Sequence, residues 1–352
     1  MTVKIVQVCP RYYPYIGGLE SHVENISRRL AKKYDVSVFT TDSSGKLPGK
    51  EEINGVTIRR FRCFAPSEAY HFSLGLLKEL KKVKFDIVHG HAFHAFPLFF
   101  SRYAQRQKYV VTPHYHGIGH TAIRNCLLKL YKPVGKKALE EADKIICVSN
   151  YEKTSLLNDF KLEEEKVVTI PNGVDMERFK NLKKERSHLK RILYVGRLEK
   201  FKGIDYLIRS LPKLDHDVFL EIVGKGRYEK HLVKLANNLG LKKKVIFQQN
   251  LSRAKLMESY AKADLFVYLS KYEAFGISVA EALASRTPCI VASSLALKEW
   301  IDNENCFGVT YPIDIDELAG LIDEIIGKEV EGVKLLDWDD VVLELTKVYE
   351  DC

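Results

Sequence analysis

Asp264-Leu-Phe-Val-Tyr-Leu269 runs straight into Ser270-Lys-Tyr-Glu-Ala-Phe-Gly-Ile-Ser-Val-Ala-Glu-Ala-Leu-Ala284. The first segment is an apolar run of strand length, and residues 277–286 have helical composition, so Glu273 falls on the strand-to-helix turn and Glu281 inside the helix. Gly276 at the turn permits close backbone approach. The N–H groups of Ile277 and Ser278, unpaired at a helix start, suit an anion. One carboxylate beside an anion site and a second about a turn further on fit a nucleotide joined to something polyhydroxylated. A surface helix with two solvated glutamates shows the same pattern, and the pair alone does not separate the two readings.

Outward from this stretch the same alternation repeats. Strand-like runs at residues 192–195, 218–223, 244–247, 265–269 and 289–292 are each followed by a helical pattern. Before them, runs at residues 4–9, 36–40, 56–61, 86–89, 109–112 and 144–148 alternate with helix-length segments, the first helix covering residues 19–33. Two mostly parallel, doubly wound α/β domains with a cleft between them are expected. Residues 178–190, after Pro171-Asn172-Gly173, are charged and poor in β-branched types and are expected to be a linker. The last helix, over residues 341–351, has Val342, Leu345 and Tyr349 on one face and should dock against the body.

With 352 residues, 46% of them hydrophobic, two globular domains are the expectation. No apolar run reaches membrane-spanning length and the first residues carry no signal-peptide pattern, so a cytoplasmic protein is expected. The seven cysteines are scattered and form no Cys-x-x-Cys, which argues against a disulfide framework or a zinc knuckle. Charge is divided unevenly. Residues 1–171 hold 27 Lys and Arg against 17 Asp and Glu, whereas residues 172–352 hold 28 against 29. The excess is concentrated in residues 76–144, with 13 basic and 5 acidic side chains, and suggests an anionic surface as partner.

Three glycine-containing turns close strands. Pro14-Tyr-Ile-Gly17-Gly18 precedes the first helix, where it serves either as a tight turn with positive φ or as a close approach to a ligand. Val195-Gly196-Arg197-Leu-Glu-Lys-Phe-Lys202-Gly203 puts two cations at the carboxyl edge of the second sheet, where ligands of open α/β folds bind. There a diphosphate would gain about 4 kcal/mol per charge pair at about 4 Å and an effective dielectric near 20, before desolvation. Val223-Gly224-Lys225-Gly226 is a similar turn. His89, His91, His94, His114, His116 and His120 cluster in the first half, and His-x-His on a strand puts both rings on one face. No acid or thiol sits beside them, so no metal is assigned. Asp314-Ile-Asp316 and Asp337-Trp-Asp339-Asp340 precede helical patterns and read as caps.

Taken in order, the glycine pair, Thr112-Pro113-His114, Gly196-Arg197-x4-Lys202-Gly203 and Glu273-x7-Glu281 resemble the motifs of the retaining glycosyltransferases of family 4, the glycosyl transferases group 1. The resemblance implies the GT-B fold, two Rossmann-like domains facing each other across a cleft. Residues 1–171 would bind the acceptor and residues 172–335 the nucleotide-sugar donor, with a C-terminal helix in 336–352 crossing back to the first domain. It implies that Glu273 contacts the donor sugar, that Glu281 binds the ribose hydroxyls, and that the backbone of Phe275, Gly276, Ile277 and Ser278 meets sugar and phosphates. Arg197 and Lys202, in the motif opened by Gly196, would hold the leaving diphosphate. Gly224 and Lys225 would lie on the nucleotide side, and Gly17 and Gly18 would face donor phosphates and acceptor. His114 would touch the donor sugar near the reacting carbon. For His91 and His116 two readings stand equally, shaping of an acceptor pocket or a buried, hydrogen-bonded histidine. The resemblance implies a nucleoside-diphosphate sugar as donor, and no further cofactor and no metal are expected. One region departs from the family pattern. Ala284-Ser-Arg286-Thr-Pro288 and Ser293-Ser-Leu-Ala-Leu-Lys-Glu299 lack two customary glycines, so the loop near Ser294 is expected to meet the sugar differently.

The expected reaction is retaining, metal-independent transfer of a sugar to an acceptor hydroxyl. Residues 72–84 and 124–137 mix apolar and cationic side chains as interfacial helices do, although core helices with solvated lysines give the same pattern. With the basic first half they favour a glycan or lipid acceptor at an anionic membrane surface, and peripheral association with its inner face. The competing readings are an epimerase-like isomerase on the same fold, a silent nucleotide-sugar binder, and a basic nucleic-acid-binding protein. The last leaves the cleft motifs unexplained and lacks interleaved aromatics, so no nucleic-acid partner is expected.

Overall fold

Short β-branched runs alternating with amphipathic helical segments build two sheets, one in each of two units, Met1–Asn172 with Trp338–Cys352 and Gly173–Asp337. The computed structural model describes residues 2–66, 70–119, 122–180, 182–184 and 189–352. The first unit contains β1 (Lys4–Val8), α1 (Gly18–Leu30), β2 (Asp35–Asp42), β3 (Lys50–Ile53), β4 (Val56–Arg62), α2 (Leu74–Lys82), β5 (Ile87–His91), α3 (Phe96–Ser101), β6 (Lys108–Thr112), α4 (Ala122–Glu140), β7 (Lys144–Cys147), α5 (Asn150–Phe160) and β8 (Val167–Thr169). The second contains α6 (Met176–Lys180), β9 (Lys190–Val195), α7 (Ile204–Ser210), β10 (Val218–Val223), α8 (Glu229–Asn238), β11 (Val245–Gln248), α9 (Arg253–Lys262), β12 (Leu265–Tyr268), α10 (Ile277–Ala284), β13 (Cys289–Ala292), β14 (Cys306–Val309) and α11 (Ile315–Ile325). The chain ends in α12 (Trp338–Asp351), which belongs to the first unit.

Among the described residues the first sheet has the order β3-β4-β2-β1-β5-β6-β7-β8 and the second β11-β10-β9-β12-β13-β14. All neighbours run parallel except β3 and β4. Parallel strands are covered on both faces, so every residue of β12 is buried and the run reads as continuously apolar. In each sheet the first strand has neighbours on both sides, which creates a switch point beside β1 and another beside β9, where ligands of such sheets bind.

Three strands, β3, β8 and β14, add to those expected from sequence. The hairpin joining β3 and β4 turns through Asn54 and Gly55, both with positive φ (53° and 76°), the conformation that an Asn-Gly pair favours. The buried face of α12 is Trp338, Val341, Leu345 and Tyr349, with Val342 only half-buried, and the helix begins three residues earlier than its pattern suggested. Residues 178–190 are not a simple linker. Arg178 lies in α6, and Lys184 Nζ donates to Tyr260 O (3.1 Å), Ala263 O (2.8 Å) and Thr287 Oγ1 (2.5 Å). Residues 181 and 185–188 of that stretch lie outside those described, as does His120. Asp314 caps α11, accepting from the N–H groups of Asp316 and Glu317. Asp337 accepts from Met176 N (2.9 Å), and Asp339 pairs with Arg29 (2.9 Å).

The missing glycines leave a physical trace. Arg286 has φ of 57° and Leu295 φ of 48°, so both hold the left-handed conformation that glycine adopts without steric cost. Arg286 is exposed. Its replacement by glycine is expected to relieve about 1–2 kcal/mol of backbone strain against about 0.5–1 kcal/mol of added chain entropy. The melting temperature should therefore rise by about 1–2 °C; a fall on thermal melting would show that the arginine side chain contributes more than its backbone costs.

Candidate functional site

In the second unit the loops after β9, β10 and β12 emerge at the same sheet edge. Gly224 packs so closely under the β9 loop that a Cβ there would lie 1.9 Å from Gly196 O, and only glycine leaves room. Leu198 N donates to Lys225 O (3.0 Å), which ties the two loops together. Arg197 and Lys225 are exposed on them, whereas Lys202 is 5% exposed.

Lys202 forms an ion pair with Glu273, and Tyr268 OH lies 2.8 Å from both Lys202 Nζ and Glu273 Oε1. Burial alone would raise the Glu273 pKa. The Lys202 charge and hydrogen bonds from Lys202, Ser270 and Tyr268 outweigh it and hold the carboxyl below its usual range. Burial lowers Lys202, against the pull of Glu273. Glu273 is thus an ionised carboxylate on the turn, held by two partners from β12 and the β9 loop. Gly276 has φ of 100°, and a Cβ would meet Leu297 Cδ2 at 2.9 Å, so the turn into α10 requires glycine. The turn is held from behind by Trp300 Nε1, which donates to Phe275 O (2.7 Å), and its indole stands edge-on to the Phe275 ring. Ile277 and Ser278 begin α10. Glu281, one turn on, accepts from Tyr260 OH (2.9 Å); burial raises its pKa, opposed by Arg253 and Tyr260. Ser294 Oγ donates to Ser270 O and Lys271 O (3.1 Å each), so this serine supports the loop that carries Glu273.

A cavity of about 620 Å³ in this unit is lined by Asp264, Pro288 and residues 327–333, at the amino ends of β12 and β13. It lies at the opposite edge from Glu273 and takes no part in this constellation.

In the first unit Gly17 has extended backbone (φ 177°) and Gly18 opens α1, so the left-handed turn weighed for this pair does not form. His89 and His91 on β5 point to one face, with ring centroids 4.2 Å apart. His114, with φ of 47°, follows β6 in a conformation rarely taken by residues other than glycine. His22 from α1 joins them, its ring 4.9 Å from that of His114 and 5.8 Å from that of Trp338. Burial lowers the pKa of His22 to about 4 against a hydrogen bond to Asn172, and holds His89, His91 and His114 well below the usual imidazole range, so the group is neutral near pH 7. His116 stacks on His94 (4.7 Å), and both line a cavity of about 210 Å³ with Leu19, Tyr70, Leu128 and Tyr131.

Sequence reasoning singled out the charged residues and glycines but missed Tyr268, Tyr260, Trp300, His22 and Asn172. Tyr268 carried a readable signal, a polar-tipped aromatic ending an otherwise apolar strand five residues before a glutamate. The others come from elements whose packing is set by the tertiary fold.

Comparison with known proteins agrees across the chain. The family profile described as Glycosyl transferases group 1 matches residues 175–335, and that described as Glycosyltransferase Family 4 matches residues 16–178. An uncharacterised glycosyltransferase of Methanocaldococcus jannaschii, MJ1607, is 30% identical over 99% of this chain and 98% of its own length. Alpha-monoglucosyldiacylglycerol synthase of Streptococcus pneumoniae is 28% identical over 90% of this chain and 76% of its own. Among solved structures, Anabaena Alr3699/HepE in complex with UDP-glucose superimposes with a TM-score of 0.81 at 19% identity, covering 99% of this chain and 100% of that one, which shows the GT-B fold. The chain belongs to the family 4, group 1 glycosyltransferases.

Proposed function

We propose that this glycosyltransferase moves a sugar from a nucleoside-diphosphate sugar to an acceptor hydroxyl with retention of configuration, and that no metal ion serves the diphosphate. The observation that supports it best is the Lys202–Tyr268–Glu273 cluster beside Arg197 at the switch point between β9 and β12. Arg197 and Lys202 neutralise the charge that grows on the departing diphosphate, and the N–H groups of Ile277 and Ser278 at the start of α10 add to it. Glu273, fixed by two partners, holds sugar hydroxyls in register. Glu281 takes the ribose hydroxyls, and Gly196, Gly224, Lys225, Phe275 and Gly276 form the backbone bed for nucleotide and phosphates. Gly17, Gly18 and His114 take the contacts that the family resemblance assigns to them. The family match does not favour the isomerase or the nucleic-acid reading.

The test is thermal melting with UDP, GDP and ADP and their sugars. At 100 times the dissociation constant one series should stabilise the wild type by about 2.7 kcal/mol. Arg197→Ala, which alters an exposed side chain, should lose most of that shift. Equal stabilisation of both proteins would remove Arg197 from the diphosphate site.

For the acceptor we propose a lipid-linked hydroxyl at an anionic membrane surface. The face of α4 that carries Leu128, Tyr131, Ala138 and Leu139 is buried, as a core helix requires. A second apolar stripe, Ile123 (74% exposed), Leu127 (41%), Leu130 (70%) and Val134 (38%), stands in solvent at helical spacing. Arg124, Lys129, Lys136 and Lys137 flank it, and Leu128 and Tyr131 on its inner side line the 210 Å³ cavity. The S. pneumoniae relative, named for a glucosyldiacylglycerol product, supports a lipid acceptor. No helix among the described residues is long and apolar enough to cross a membrane, and the attachment proposed is peripheral. In flotation the protein should follow phosphatidylglycerol vesicles at low salt and leave them at high salt. The double variant Ile123→Glu, Leu130→Glu should bind at least tenfold more weakly; absence of wild-type binding at low salt would remove the membrane proposal.

A further inference from the structure

His22, His91 and His114 come from α1, β5 and the loop after β6, and one ring nitrogen of each lies within 4.8 Å of the other two. Those of His22 and His91 belong to side chains 4% and 0% exposed, and His114 is half-buried. His22 Nε2, His91 Nδ1 and His114 Nε2 have no hydrogen-bond partner among the described residues. The opposite nitrogens of the first two explain their state. His22 Nδ1 lies 2.6 Å from Asn172 Oδ1, and His91 Nε2 lies 2.7 Å from Gln7 Oε1. An amide oxygen only accepts, so those nitrogens carry the proton, and the opposite nitrogens, His22 Nε2 and His91 Nδ1, are bare lone pairs. Gln7 is itself oriented, since its Nε2 donates to Tyr349 OH (3.1 Å). Tyr349 OH also lies 2.8 Å from His89 Nδ1, and His89 Nε2 lies 2.7 Å from Thr112 Oγ1.

Converging buried lone pairs without a donor are costly, and an electron-pair acceptor between them removes the cost. An imidazole whose far N–H is held by an oxygen is also the arrangement found behind metal-bound histidines. We propose that His22 Nε2, His91 Nδ1 and His114 Nε2 form a three-histidine site for a divalent transition cation of the zinc type. An all-imidazole set selects zinc, cobalt, nickel or copper over magnesium and calcium. Tetrahedral ligands about 2.1 Å from zinc stand roughly 3.4 Å apart, so each ring closes in by less than about 1 Å. A cation here occupies the His114 nitrogen. If His114 contacts the donor sugar as in the function proposed above, the cation inhibits transfer; that consequence rests on the proposed function, whereas the site does not.

The experiment titrates the full chain, stripped with chelator and dialysed, with Co²⁺ alone, read by visible d–d absorption and equilibrium dialysis. One equivalent should bind with a tetrahedral spectrum free of thiolate charge transfer, which separates it from the seven cysteines. His22→Gln and His91→Gln should each weaken binding at least tenfold. Asn172→Ala, which keeps all three ligands, should weaken it about 10- to 100-fold. His216→Gln, far along the chain and exposed on the other unit, should leave it unchanged. Absence of stoichiometric Co²⁺ binding, or binding indifferent to the His22, His91 and Asn172 substitutions, would overturn the site. A separate transfer assay with Zn²⁺ divides the two readings: full activity of the metal-loaded protein removes His114 from the reaction and leaves the site standing.

Discussion

Lys202→Met is expected to lower kcat/KM for sugar transfer by about 10²- to 10³-fold, the usual cost of removing one preorganised group that stabilises transition-state charge. The ammonium is 5% exposed and bonded to Tyr268 OH (2.8 Å), so it is held in place before substrate arrives and loses little freedom when a diphosphate develops charge. The same substitution leaves Glu273 without its cation, with only Tyr268 and Ser270 to support it. Breaking one side of a buried pair typically costs about 3–5 kcal/mol. Loss of the Lys202 charge also removes the largest influence that opposes burial at Glu273, so its carboxyl should titrate upward. Stability and catalysis are separated by the double variant Lys202→Met, Glu273→Gln, which abolishes the orphaned charge. Chemical denaturation should recover most of the lost stability in the double variant while turnover stays low. Near-normal turnover in the single variant would place the diphosphate away from Lys202.

Trp338→Ala should destabilise the first unit by about 3–5 kcal/mol, the range for emptying a large aromatic site in a packed interior. Trp338 is 2% exposed, opens α12, and stands edge-on to His22 at 5.8 Å. Its loss leaves the helix held by Val341, Leu345, Tyr349 and the Arg29–Asp339 pair, and removes one wall of the histidine group. Urea denaturation followed by circular dichroism should show an early transition carrying the first unit's share of the helix signal. Conservative Trp338→Phe should retain more than half of the stability. A change below about 1 kcal/mol for the alanine variant would mean that the interior collapses onto the vacancy and that docking of α12 depends on its other residues.

Much of the fold was legible because parallel sheets write themselves into sequence. Strands buried on both faces demand continuous apolar runs, and residues 265–269 and 289–292 read that way without further context. The places of Glu273 and Glu281 were legible for a related reason. The apolar run ends just before Glu273 and Gly276 between the two marks the turn, whereas the pair alone did not separate a ligand site from a solvated helix face. Even the absent glycines carried information, since Arg286 and Leu295 keep the left-handed backbone that glycine would have taken without strain. The edge strand β3, Lys50-Glu-Glu-Ile53, was hidden by its solvent-facing charges, although Asn54-Gly55 announced its hairpin.

Local composition and periodicity, which act over a turn or a strand, determined the alternating strands and helices of the two α/β units and the loops at the carboxyl ends of their strands. Only tertiary packing decided which of those residues meet. Lys202 and Glu273 are 71 positions apart, His22 and Asn172 are 150, and Gln7 and Tyr349 are 342. No spacing rule reaches across such distances. The buried pair in the second unit exists because its sheet brings loops from distant strands to one edge, and the oriented imidazoles in the first because α1, β5 and the loop after β6 meet, where low dielectric makes an unpaired polar group costly.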